Sequence, residues 1–197
     1  MRWRATTDLR RFLRRLPLAL LAAVVLWALA KPAYGHVLAA VSEALARATE
    51  NPRAAVVKVD GNYAMIGRTD FRAGSGWLKT SLIQIHYNLI PFLALVLALP
   101  GSLAGRGWRQ LFLALAVMLL AHVLGLFWQI KCFYAFDMGP WSEANYSAVA
   151  RNVYGFLRYF WDLPVTFTLP LLLWLGFFAD RAMPLVGLGG TTTPRRP

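Results

Sequence analysis

The 197-residue chain is 58% hydrophobic and only 15% charged, with a formal net charge of +12, whereas an average soluble domain carries about 25% charged residues. That deficit excludes an ordinary soluble enzyme, and the Lys and Arg excess is scattered beside apolar runs, the pattern of membrane flanks and not the footprint of a nucleic-acid site. A single cysteine, Cys132, excludes an intramolecular disulfide and a thiolate-only metal cluster.

In chain order, Arg10, Arg11, Arg14 and Arg15 close a basic segment over residues 1–15, and Leu16–Ala30 is uncharged up to Lys31-Pro32. A basic start, an apolar core and Ala28-Leu29-Ala30 resemble a cleavable secretory signal. The apolar pattern resumes at Tyr34–Val41, however, and Lys31 can snorkel, so residues 16–34 read as an uncleaved first span. Residues 35–79 form an extracytoplasmic segment of mixed α and β character. Val37, Ala40, Val41, Ala44 and Leu45 fall at helical spacing within His36–Thr49, which either continues the first span or lies on the membrane surface. Asn51-Pro52 stops that helix, and Asp60-Gly61-Asn62 joins two strand-like runs as a β-hairpin over residues 55–66. An isolated hairpin is marginally stable, so it must dock on the protein's own helices or on a partner.

The longest uncharged run, Thr80–Gly105, contains a second span over residues 80–100 and leads into a basic loop over 101–109. A third span covers 110–130, a loop covers 131–158, a fourth span with Tyr159, Phe160 and Trp161 at its entry covers 159–180, and a Gly, Thr and Pro rich tail over 181–197 reads as disordered. Residues 1–15, 101–109 and 181–197 carry 11 Lys and Arg in 41 residues, against 10 in 77 for residues 31–79 and 131–158. Both termini are therefore expected in the cytoplasm of a four-span, all-α membrane protein with a small outer helix and hairpin. The prolines Pro91 and Pro170 are expected to kink their spans, and Pro164 to be accommodated near a helix start.

Polar groups inside spans are costly, so each is a functional candidate. His122 lies near the centre of the third span, where a neutral imidazole bonded to a neighbouring helix is the simplest role and proton transfer or ligation the alternative. His86, Tyr87, Asn88, Gln129, Lys131, Arg158 and Asp162 gather at the outer ends of the spans as one polar layer. Asp162 can pair with Lys131 across helices or with Arg158 four residues earlier. Cys132 with His86 and Arg151 contains the residue types of a thiol protease or transpeptidase. Cys132 lacks a small-residue turn that would expose its sulfur, though, and no metal, cofactor or phosphate-binding motif accompanies it. A small transporter using the His122 level is a third possibility.

The order of basic N-terminus, anchor and outer hairpin segment is followed by His86-Tyr87-Asn88-Leu89-Ile90-Pro91-Phe92, running into Leu93–Pro100. Together with Gly107-Trp108-Arg109 and the last span from Leu163-Pro164 to Pro170-Leu171-Leu172-Leu173-Trp174, this resembles the exosortase H-associated membrane protein family over Leu16–Ala179. The resemblance implies an accessory protein of the bacterial inner membrane, a companion of a sorting transpeptidase that processes proteins with a C-terminal recognition tail. That enzyme would itself supply the catalytic Cys, Arg and His; the Ala-Cys pattern expected of it is missing around Cys132. The implied partners are the lipid bilayer and a membrane transpeptidase, without nucleic acid or cofactor, and no site residue carries over from the family.

Overall fold

A computed structural model of the chain describes residues 7–71 and 76–186. The expected disorder of the tail from Gly187 and the first six residues of the basic segment lie outside the described residues. The fold is mostly helical, 75%, with a small three-stranded sheet at one end. Three helical stretches are long and apolar enough to cross a membrane: Asp8–Thr49, Gly107–Phe136 and Ala148–Leu185.

Helix α1 runs unbroken over Thr7–Thr49. Its 43 residues extend about 65 Å at 1.5 Å per residue, twice the roughly 30 Å of a hydrocarbon core. The expected first span and the expected amphipathic helix are thus one rod. Pro32 does not end it, although proline in a helix interior removes one hydrogen bond and typically costs about 3 kcal/mol. Leu38, Ala39 and Ala46 lie beyond Pro32 and are buried against the sheet and the end of α4, and that packing keeps the helix continuous across the missing bond.

Strands β1 (Ala55–Asp60), β2 (Tyr63–Arg68) and β3 (Leu78–Ser81) form an antiparallel sheet in that order. The β1–β2 register pairs Asp60 with Tyr63 around Gly61, whose φ of +56° is the left-handed conformation glycine supplies without strain. Thr80 and Ser81, expected to open the second span, instead pair with Ala64 and Tyr63 in β3. Ladder hydrogen bonds to β2 satisfy their backbone where a helix start would leave donors free.

The uncharged run then continues as α2 (Leu82–His86) and α3 (Leu89–Ala98). Pro91 cannot donate to the Tyr87 carbonyl, which instead accepts from Ile90 N at 3.0 Å. The break therefore sits one turn before the proline, at Tyr87-Asn88. Helix α4 (Gly107–Phe136) outruns its expected end by six residues, because nothing between Lys131 and Phe136 breaks a helix before Gly139-Pro140.

Residues 131–158, expected as a loop, are mostly helical. They contain the end of α4, the short α5 (Pro140–Asn145) and most of α6 (Ala148–Phe160), which starts where Ser147 Oγ accepts from Ala150 N at 3.2 Å. A π-helical turn at Trp161–Val165 carries α6 into α7 (Thr166–Ala182), with α-helical torsions at Phe160, Trp161, Val165 and Thr166. Pro164 thus lies inside a continuous helical stretch and not near its start.

Two cores are stacked along the helices. One joins Phe12 and Ala19 of α1, Phe92 and Val96 of α3, Ala114 and Met118 of α4, and Trp174 and Phe178 of α7. The other joins Leu38 and Ala46 of α1, Val57 and Ile66 of the sheet, and Leu126, Ile130 and Tyr134 of α4. The many exposed leucines of α1, including Leu18, Leu21 and Leu29, belong to the first level, where the surrounding medium is lipid and a leucine needs no protein partner.

Candidate functional site

Between the two cores lies a chain of polar side chains on four helical segments. Asn88 Nδ2 donates to the carbonyl of Thr166 at 3.1 Å, which leaves Asn88 Oδ1 as acceptor for His122 Nε2 at 2.7 Å. His122 therefore carries its proton on Nε2, and its Nδ1 accepts from Tyr34 OH at 2.6 Å. The Thr166 carbonyl is free for this because the residue four positions later is Pro170, which has no N–H to return to it. Asn88 lies in the break between α2 and α3, so two prolines in different helices create this network together. His86, beside it, accepts at Nδ1 from Trp27 Nε1 at 3.0 Å and meets the edge of Tyr34 with ring centroids 5.5 Å apart.

A second set lies one level towards the sheet. Thr80 Oγ1 donates to Gln129 Oε1, Gln129 Nε2 donates to Asp162 Oδ1 at 2.9 Å, and Asp162 faces Arg158 across one helical turn at 3.6 Å. Arg158 Nη1 in turn lies 3.8 Å from Cys132 Sγ. Gly125 makes this level possible, since a Cβ there would lie 2.8 Å from Trp161 Cδ1; the close approach lets Trp161 Nε1 donate to the Ala121 carbonyl at 2.6 Å.

The third set is ionic and lies inside the sheet-end core. Glu50 accepts at Oε1 from Lys131 Nζ and from Tyr146 OH, the latter at 2.8 Å, and at Oε2 from Arg68 Nη1 at 3.1 Å. Arg68 also makes a two-pronged contact with Asp70 at 2.8 and 2.9 Å and lies 4.4 Å from the centre of the Trp141 ring. The Arg68 side chain is fully buried and those of Glu50 and Lys131 nearly so. Burial opposes the charged guanidinium, but its hydrogen bonds to Asp70 and Glu50 outweigh this and raise its pKa.

The same hydrogen bonds hold the Asp70 carboxyl below the usual carboxylate range against its burial. A carboxylate depressed in the folded state stabilises the fold fully above its unfolded value of about 3.9, and the contribution is lost as pH falls through the lower folded value. Thermal melts from pH 6 to pH 2.5 should therefore show Asp70→Asn starting below the parent but losing less in the acid window. Parallel curves for the two proteins would contradict this.

Of the polar-layer residues, His86, Asn88, His122, Gln129 and Lys131 are each at most 4% exposed, while Tyr87 is half-buried with its ring against Phe167. Lys131 pairs with Glu50, and Asp162 takes the pairing with Arg158. Cys132 is buried beside Arg158. Among the described residues no hydrogen bond or ion pair joins it to His86 or Arg151, and no cluster of metal-ligating side chains is present.

Sequence reasoning passed over Trp27, Tyr34, Glu50, Arg68 and Tyr146. One of them had a visible signal: Ala64, Ile66 and Arg68 share the inward face of β2 at a spacing of two.

Helix α6 turns an apolar face outward. It has no buried residue. One face packs on α4, with Tyr154 stacked on Trp128, Arg158 over Phe133 and Gly155 beside Phe136. At about 100° per residue the opposite face carries Val149, Val153, Phe156 and Phe160, all exposed and the first 73% so.

The sequence profile of the exosortase H-associated membrane proteins matches residues 6–181. The chain belongs to that family. No curated protein and no solved structure matches it. As a family member the protein is a membrane protein named for its association with an exosortase, and its three long apolar helices agree with the membrane assignment.

Proposed function

We propose that the protein is an accessory subunit of an exosortase-type sorting system in the bacterial inner membrane, and that it binds the membrane transpeptidase, or the substrates delivered to it, through the exposed apolar face of α6. The observation that carries this reading is the stripe Val149, Val153, Phe156 and Phe160. The helical stretch Ala148–Leu185 has 38 residues and kinks at Phe178; the part ahead of that kink alone extends about 45 Å, beyond the ~30 Å hydrocarbon core. Because α6 continues α7 with helical torsions, it rises out of the membrane with the span, and its apolar stripe stands beside the membrane where lipid no longer covers it. A contiguous apolar face in that position marks a protein contact. The family's exosortase association indicates the occupant, a polytopic membrane enzyme.

In this reading the buried polar layer, His86 to Asp162, sets the relative positions of α1, α4 and α6 and does not touch the partner itself. Both termini lie in the cytoplasm, the sheet faces outward, and the broken segment Leu82–Ala98 completes a fourth membrane crossing. Cys132 has no chemical role.

The test is recovery of partners by a tagged full-length chain extracted from its native membranes in mild detergent, followed by mass spectrometry. The parent should retain a transpeptidase in near-equal amount. Val153→Asp/Phe156→Asp should lose at least tenfold of it while keeping the parent's melting temperature, and Cys132→Ala should lose none. Recovery of the parent chain alone, or full retention by the double variant, would overturn the proposal.

A further inference from the structure

A second surface feature points to a different ligand. Among α1, α3 and α4 a groove of about 410 Å³ opens at the membrane level, within the range of small-molecule sites. Its wall is almost wholly apolar, built by Leu26, Leu93, Leu115 and Leu119. At the sheet-side end of the groove two polar groups interrupt that wall. Lys31 is one, lying over the Trp27 ring at 5.6 Å and paired with no carboxylate among the described residues. The other is His86, 1% exposed. Its Nδ1 accepts from Trp27, so the ring proton is on Nε2, and Nε2 is buried without a hydrogen-bond partner. A buried donor without an acceptor is costly, but Nε2 exposes no surface to the groove, so the cation is the polar group a ligand reaches.

Along the groove an apolar wall ends, on the sheet side, at one cation without a carboxylate partner among the described residues. A diacyl phospholipid presents the complement: an acyl chain and, at its head, an anionic phosphate. From the geometry we infer that this groove is a phospholipid site, with an acyl chain along Leu26, Leu93 and Leu115 and the phosphate on Lys31. The depth agrees with that occupant. Lys31 lies five residues beyond Leu26 on α1, a rise of about 7.5 Å, which puts a headgroup at the sheet-side boundary and its tail in the hydrocarbon. The site is independent of the α6 stripe, which lies on another helix.

The test uses the delipidated full-length chain in detergent and native mass spectrometry with three probes: dioleoyl phosphatidylglycerol, dioleoylglycerol without the phosphate, and glycerol phosphate without the chains. The parent should bind phosphatidylglycerol best, dioleoylglycerol at least fivefold more weakly, and glycerol phosphate not at all. Lys31→Gln should bring phosphatidylglycerol down to the level of dioleoylglycerol. Ala116→Phe and Ala30→Phe, which fill the groove from two different helices at exposed positions, should each abolish binding of both lipids with unchanged melting temperature of the lipid-free protein. Parent-like phosphatidylglycerol binding by both groove-filling variants would overturn the assignment. So would equal binding of glycerol phosphate, which would make the site a headgroup or free-phosphate site, or equal loss of both lipids in Lys31→Gln.

Discussion

Replacing Glu50 with Gln should destabilise the protein by about 3–5 kcal/mol, the cost of leaving a buried charge without its partner. Glu50 is one carboxylate serving three donors from three parts of the chain: Lys131 of α4, Arg68 of β2 and Tyr146 before α6. The charges balance only with Glu50 and Asp70 both ionised against Arg68 and Lys131. With a neutral amide at position 50, Arg68 still has Asp70, whose side chain is 31% exposed, but Lys131 has no carboxylate left. The second variant separates charge from packing. Glu50→Gln/Lys131→Met removes both members of that pair, and buried ion pairs replaced by apolar groups are often neutral in stability, so the double variant should recover most of the loss. Unfolding midpoints in a fixed detergent mixture measure both. A double variant as unstable as the single one would show that the Lys131–Glu50 pairing is not the source of the cost.

His122→Leu should have the next largest effect, about 1–3 kcal/mol, by leaving Asn88 Oδ1 and the Tyr34 hydroxyl unpaired inside the helix bundle. Single hydrogen bonds between membrane helices contribute only about 0.6 kcal/mol on average. The larger figure is expected because His122 joins α1 to the α2–α3 break by two consecutive bonds, and a third carries the link through Asn88 to α7. A double-mutant cycle isolates the coupling. Tyr34→Phe should cost little once His122 is already Leu, whereas the two losses would simply add if the residues were independent. Additivity would refute the network.

The amino-acid sequence by itself determined that this is a membrane protein, because the length of uncharged runs is a local property fixed by the thickness of hydrocarbon. It also determined the hairpin turn at Asp60-Gly61-Asn62 and the helical character of most of the chain, which depend on residue types a few positions apart. Residue order and short runs around His86–Pro100 and Leu163–Trp174 were likewise enough to indicate the family. Element lengths were less legible. Pro32 lies inside the first span, which reads as ending at residue 34, yet the packing of Leu38 and Ala46 on the sheet carries α1 on to Thr49. Thr80 and Ser81 read as the start of a span, yet the edge of β2 claims them.

Tertiary structure alone decided the polar partners. That Lys131 pairs with Glu50, 81 positions away, depends on α1 continuing unbroken past Pro32 to meet the end of α4. Likewise, Asn88 reaches the Thr166 carbonyl only because Pro170 frees that group while the break before Pro91 aims the amide at it. Such matches join groups from distant segments and leave no spacing to read. An exposed face has the same character: Val149, Val153, Phe156 and Phe160 are a helical stripe in any reading, but only packing shows that the opposite face of α6 is the one α4 covers, which leaves this stripe open.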